Sequence, residues 1–232
     1  MEWQTVTDRQ ESALLRIVAT LFAMAGLAES ARVSMLPRRV YNAILCILQP
    51  AESAMRRLII IAARGIELKF RPGGAIPAGL FKQLAASAET RLPVFCLIDP
   101  LKKFAFADSG GTFEGAARSM PRISVPGIID PVFAPAPPVL SADDPIAAHG
   151  ICQRLQILKH ALETLPKQAR RLARWQARQR LQMNTQAAPG RRSPLRPGFP
   201  PGLRRRHAHE INEVLSDCHY FAVESWAEQN TS

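Results

Sequence analysis

The chain has 232 residues, 47% of them apolar, 21% charged and 6% aromatic, and a formal net charge of +11. So much apolar material is enough for a core and excludes a chain disordered throughout, while few aromatics beside abundant Ala and Leu favour helices over an aromatic-rich β sandwich. The charge is unevenly placed: residues 154–206 hold 14 Lys/Arg against one acid, Glu163, and the rest of the chain sums to about −2.

Thr7 followed by Gln10 has the form of a capping box, and Leu14, Val18, Leu21, Ala25 and Ala28 then recur at helical spacing, which predicts an amphipathic first helix. Its charge-free run, 17–28, is shorter than the roughly 20 residues a bilayer requires, so no spanning helix is expected. Glu2, Asp8 and Glu11 stand where a signal peptide carries positive charge, which argues against secretion. Pro37 suits the first position of a second helix through Val40, Tyr41, Ile44, Leu45 and Leu48. Pro50 suits the start of a third over 51–64, with Gly65 just past its end.

The middle of the chain predicts a small α/β region. Residues 66–70 and 93–99 read as strands, an Ala-rich helix spans about 79–89, and Phe104 and Phe106 alternate as a third strand. Pro72-Gly73-Gly74 reads as a turn, since neither GK[ST] nor GxGxxG follows. The proline-rich stretch 121–145 breaks regular structure and is the expected hinge.

Beyond it, Ile151, Leu155, Leu158, Leu162, Leu165, Ala169 and Leu172 form the a/d seam of a heptad pattern, interrupted at Pro166 after a capping candidate, Thr164. Two joined helices are predicted. Residues 187–202 are again rich in Pro and Gly, and a last helix over about 206–228 places Ile211, Val214, Leu215, Cys218, Phe221, Ala222 and Trp226 on one stripe. The expected architecture is mainly α. It comprises a bundle-like N-terminal region with short strands (1–120), the hinge (121–145), basic amphipathic helices (146–186), a second linker (187–202) and a C-terminal helix (203–232).

Catalytic and metal signatures are sparse. Cys46, Cys96, Cys152 and Cys218 contain no CxxC pair and fit thiols of a reducing compartment, hence a cytoplasmic expectation. His207, His209, Cys218 and His219 lack zinc-site spacing, because Cys218 belongs to the apolar stripe whereas His209, Glu213 and Asp217 share a polar one. Asp108-Ser109-Gly110-Gly111 and Ala147-Ala148-His149 are fragments without the surroundings of a serine-protease triad. Arg191, Pro194 and Pro197 match a docking pattern short enough to arise in any polyproline spacer. No cofactor and no metal are expected.

The chemistry lies in the basic helices. Lys167, Arg170, Arg171, Arg174, Arg178 and Arg180 recur on successive turns, with Trp175 beside them as a stacking surface. Arg204, Arg205 and Arg206 form a second patch. The function these residues support is non-enzymatic: contact with the phosphates of DNA or RNA without reading of sequence. The alternative is a helical adaptor whose seam and basic face recruit an acidic protein helix, another copy of the chain or an anionic membrane surface.

Several phrases carry a likeness beyond these patterns: Met55-Arg56-Arg57-Leu58-Ile59, Leu92-Pro93-Val94-Phe95 leading to Asp99-Pro100, Ala169-Arg170-Arg171-Leu172-Ala173-Arg174-Trp175, and Ser193-Pro194-Leu195-Arg196-Pro197-Gly198 ahead of Glu210-Ile211-Asn212-Glu213-Val214-Leu215. Together they resemble a family of uncharacterised alphaproteobacterial proteins. The resemblance implies a bacterial origin and a folded family, and it assigns no site.

Overall fold

A computed structural model describes residues 3–27, 33–66, 93–100, 141–183, 193–203 and 209–231. Apart from Ser141, all of these fall in one compact unit built from residues 1–100 and 142–232. The expected helix over 79–89, the strand at Phe104 and Phe106, the glycine turn at 73–74, the Asp108-Ser109 fragment, most of the first proline-rich stretch and residues 187–192 of the second lie outside the described residues. The fold is mainly α, with five helices and one two-stranded sheet among the described residues.

The first helix, α1, spans Trp3–Met24 and turns Leu14, Ile17, Val18 and Leu21 into the core. Thr7 lies inside it, not at its cap: the Thr7 hydroxyl donates to the Trp3 carbonyl (2.9 Å). Gln10 is buried and donates to Asp217 at 3.4 Å. The capping-box pattern was therefore internal to the helix, and its two polar side chains found partners elsewhere.

The second and third expected helices are one. Helix α2 runs Arg38–Ala62 straight through Pro50. Pro50 removes a backbone donor and costs about 3 kcal/mol in a helix interior. Ile44, Leu48, Met55 and Leu58, all fully buried on either side of it, each contribute about 1.5–3 kcal/mol. Burial therefore outweighs the break. From Ser53 to Ile61 every residue of α2 is buried, including Arg56 and Arg57. A helix buried all round is the centre of its fold; α2 touches all four of the other helices.

Strand β1 (Met35–Pro37) pairs antiparallel with β2 (Pro145–Ala147), with Leu36 opposite Ile146 and Pro37 opposite Pro145. Neither proline has an N–H, so the ladder ends there. Flanking backbone bonds extend the tie: Arg38 N–H to Asp144 O and Arg39 N–H to Ala142 O (both 2.9 Å), and Ala148 N–H to Ser34 O (2.8 Å). This sheet is not the expected one. Residues 93–99 make no strand, and of the expected strand 66–70 all but Ile66 lie outside the described residues.

Helix α3 (His149–Glu163) and helix α4 (Leu165–Met183) are separated at Thr164. The restart predicted at Pro166 is thus present, although the Thr164 hydroxyl donates backwards to the His160 carbonyl (2.7 Å) and does not cap α4. All seven seam residues, Ile151 through Leu172, are buried in the common core. The seam packs on the chain's own helices, α3 on α1 and α2, and α4 on α2. Helix α5 (Glu210–Thr231) starts later than expected because His209 ends the loop: its Nδ1 accepts the Ile211 N–H (3.1 Å) and its carbonyl the Asn212 N–H (3.0 Å). Glu210 and Glu213 in the first turn suit the positive end of the helix dipole.

Residues 193–203, read from sequence as a proline-rich spacer, lie against the helical body. The Pro194 carbonyl accepts from Asp99 N–H (2.9 Å) and Leu195 is buried. Gly202 has φ +84°, and a Cβ there would stand 2.7 Å from the Pro50 nitrogen. Both the left-handed backbone and the contact with α2 demand glycine. Gly202→Ala should lower stability by about 1–3 kcal/mol in denaturant titration, the range for strained backbone and overpacking.

Candidate phosphate-binding surface

Helix α4 buries Leu165, Gln168, Ala169, Leu172 and Ala173 and so turns its opposite face outwards. Lys167, Arg170, Arg174 and Arg178 are exposed on that face at spacings of three, four and four, which stacks them along one line of the helix. Among the described residues none of the four forms an ion pair with a carboxylate; no acidic residue lies within α4. Four cations held in a row on a rigid element present a line of positive potential that attracts a polyanion.

The other expected contacts are placed differently. Arg171 is half-buried: its Nη1 donates to the Phe95 carbonyl (2.7 Å) and to Gln168 Oε1 (3.2 Å). Burial pulls its pKa down, and nearby Cys96 opposes the shift. Trp175 is half-buried and packs against the core, so one face at most is open for stacking. Arg180 is exposed but stands off the line of the other four. Arg204, Arg205 and Arg206 lie outside the described residues. Arg154, at the start of the basic stretch, is neutralised within the chain by a bidentate pair with Glu52 (2.8 and 3.0 Å).

Lys167, Arg171 and Arg174 also line a groove of about 200 Å³ together with Val94, Phe95 and His160. Residues 93–95 form one wall of it, and two arginines hold this stretch in place. Arg171 binds the Phe95 carbonyl, the Arg56 Nε donates to the Cys96 carbonyl (3.1 Å), and the Arg56 guanidinium lies 5.6 Å from the centre of the Phe95 ring. The strap ends at Asp99, whose side chain is fully buried.

Asp99 is the hub of a buried polar network that the sequence reading missed. Arg57, also without exposure, donates from Nη2 to Asp99 Oδ2 (2.9 Å) and from Nη1 to the Ser53 carbonyl and hydroxyl (2.8 and 2.7 Å). Its Nε donates to His219 Nδ1 on α5 (3.2 Å). Arg56 reaches both Asp99 (3.7 Å) and Glu52 (3.8 Å), and the Arg196 N–H adds a bond to Asp99 Oδ2 (3.3 Å). Burial lowers the pKa of Arg57 against the opposing pull of Asp99, and burial followed by the Arg57 charge lowers that of His219. One sequence signal pointed here: two arginines inside the apolar run 54–61, where a buried charge requires a partner.

Cys218, next to His219, is fully buried, and its thiol is pushed up to about 12 by that burial. It behaves as a small apolar side chain and not as a thiolate ligand. His209 is occupied with the start of α5, and His219 with Arg57. Among the described residues no helix is long and apolar enough to cross a membrane. Compared with protein-family models, with curated proteins and with solved structures, the chain finds no match.

Proposed function

We propose that this protein binds the phosphate backbone of DNA or RNA, without reading sequence, through Lys167, Arg170, Arg174 and Arg178 of α4. The observation that carries the reading is that these four cations are exposed, aligned and without carboxylate partners among the described residues. Arg171 and Trp175 act behind them as supports that fix the helix against the strap and the core, and Arg180 extends the positive field. Contacts of this kind position a polymer and leave its bases unread.

The adaptor alternative has less to stand on. A helix that pairs with a partner or lies on a membrane surface needs a free apolar face, and the seam of α3 and α4 is spent on the chain's own core.

Filter binding of mixed-sequence polynucleotides at two ionic strengths tests the proposal. Four phosphate contacts correspond to a loss of affinity of about 50- to 150-fold between 50 and 200 mM salt. Retention at 50 mM that falls by this factor supports backbone contact. No retention at 50 mM, or retention indifferent to salt, overturns it.

A further inference from the structure

His219 belongs both to the buried network and to the lining of a cavity. The cavity has a volume of about 600 Å³ and lies between residues 193–199 and the face of α5 that carries His219, Val223 and Trp226. Leu195, Phe199, Val223 and Trp226 make its walls apolar. Phe199 is 80% exposed and Val223 47%. No carboxylate is among the described residues that line it, whereas Arg196 is. The Arg196 Nη2 is held on the Phe199 carbonyl (2.9 Å), and its buried Nε has no hydrogen-bond partner among the described residues.

The hydrogen bonds fix the state of the imidazole. A guanidinium can only donate, so the ring nitrogen that faces Arg57 Nε must be an acceptor. His219 Nδ1 therefore carries no proton, and the proton sits on Nε2, at the ring position turned away from Arg57. Arg57 cannot swing aside, because the buried Asp99 and Ser53 hold its other nitrogens. The result is a neutral histidine that offers one N–H donor at the rim of an apolar cavity, where Arg196 is the one cation among the described lining residues.

We infer that this cavity binds an amphipathic monocarboxylate, its apolar body against Phe199, Val223 and Trp226 and its carboxylate on His219 Nε2–H within the field of Arg196. Volume and lining suit this class: small-molecule sites of about 300–1,000 Å³ are mostly apolar with few placed polar groups. The site is separate from the cationic line on α4 and does not depend on it.

Calorimetric titration of the full chain with decanoate and with 2-naphthoate, each compared with its alcohol, decanol or 2-naphthol, tests the inference. The expected result is saturable one-to-one binding of at least one carboxylate below 1 mM, and binding of its alcohol at least tenfold weaker. His219→Phe should remove the binding. Because that change leaves the Arg57 Nε without its acceptor, Val223→Glu serves as the second variant: it places a negative charge on an exposed position of the wall, should keep the melting temperature, and should weaken carboxylate binding at least tenfold. The inference is overturned if neither carboxylate saturates below 1 mM, if the alcohols bind equally well, or if a folded Val223→Glu chain binds the carboxylate like the parent.

Discussion

Asp99→Ala is expected to lower stability by about 3–5 kcal/mol, the cost of leaving a buried charge without its partner. In a chain of this size that corresponds to a fall in Tm of about 6–20 °C. The magnitude follows from where the group sits. Arg57 has no exposure, and without Asp99 its guanidinium keeps, among the described residues, only Ser53 and His219 as acceptors. The same substitution removes the acceptor for the Arg196 N–H and one of the two carboxylates that face Arg56 among the described residues. Thermal unfolding followed by circular dichroism reads the effect. Asp143→Ala is the control, since its pair with Arg39 is about 70% exposed on both sides and worth at most about 1 kcal/mol. Replacing both partners, Arg57→Met with Asp99→Leu, should recover part of the loss, because a buried ion pair exchanged for apolar groups of similar volume is often neutral or stabilising. Equal melting of Asp99→Ala and Asp143→Ala would show that the network does not hold the strap 93–100 to α2.

The second large effect concerns binding. Lys167→Glu, Arg170→Glu, Arg174→Glu and Arg178→Glu together should abolish polynucleotide retention at 50 mM salt. All four side chains point to solvent, so the change in stability should stay small, within about 0.5 kcal/mol per site. The neutral set, with glutamine at the same positions, should retain weak binding whose salt dependence is shallower by about three in logarithmic slope. Arg171→Gln separates structure from contact. It removes the bond to the Phe95 carbonyl and should reduce stability as well as affinity, whereas Arg170→Gln should reduce affinity alone. Undiminished affinity in the four-glutamate chain would refute the phosphate-binding proposal.

The helices of the second half were legible because their signals are periodic and local. Ile151 through Leu172 spaced at three and four, with Pro166 inside the series, fixes two joined helices and their buried side. The cationic line was legible for the same reason, as the complement of that buried side. What failed was local punctuation read without its surroundings. Pro50 has the form of a helix start, and only the burial of Ile44, Leu48, Met55 and Leu58 against other helices makes α2 continuous. Thr7 and Gln10 have the form of a cap, and their partners lie in the preceding turn and on α5. The two strands, each three residues long and more than 100 positions apart, carry no alternation that a sequence could reveal.

Within the candidate site the same division holds. Residue type and spacing indicated which side chains were cations, but the fold assigned their uses: Arg154 to Glu52, Arg171 to the strap, and four others to solvent. Arg57, Asp99 and His219 stand 42 and 162 positions apart in the chain, and nothing in their neighbourhoods announces that they meet. By itself the sequence determined that the chain is mainly helical, where α3 and α4 divide, and that positive charge gathers on α4, since each follows from near-neighbour periodicity. Only the tertiary structure decided that α2 is the central helix, that the heptad seam is filled from within, and that two arginines in an apolar run are held by one aspartate, because the compensation for a buried charge comes from whatever the fold brings against it.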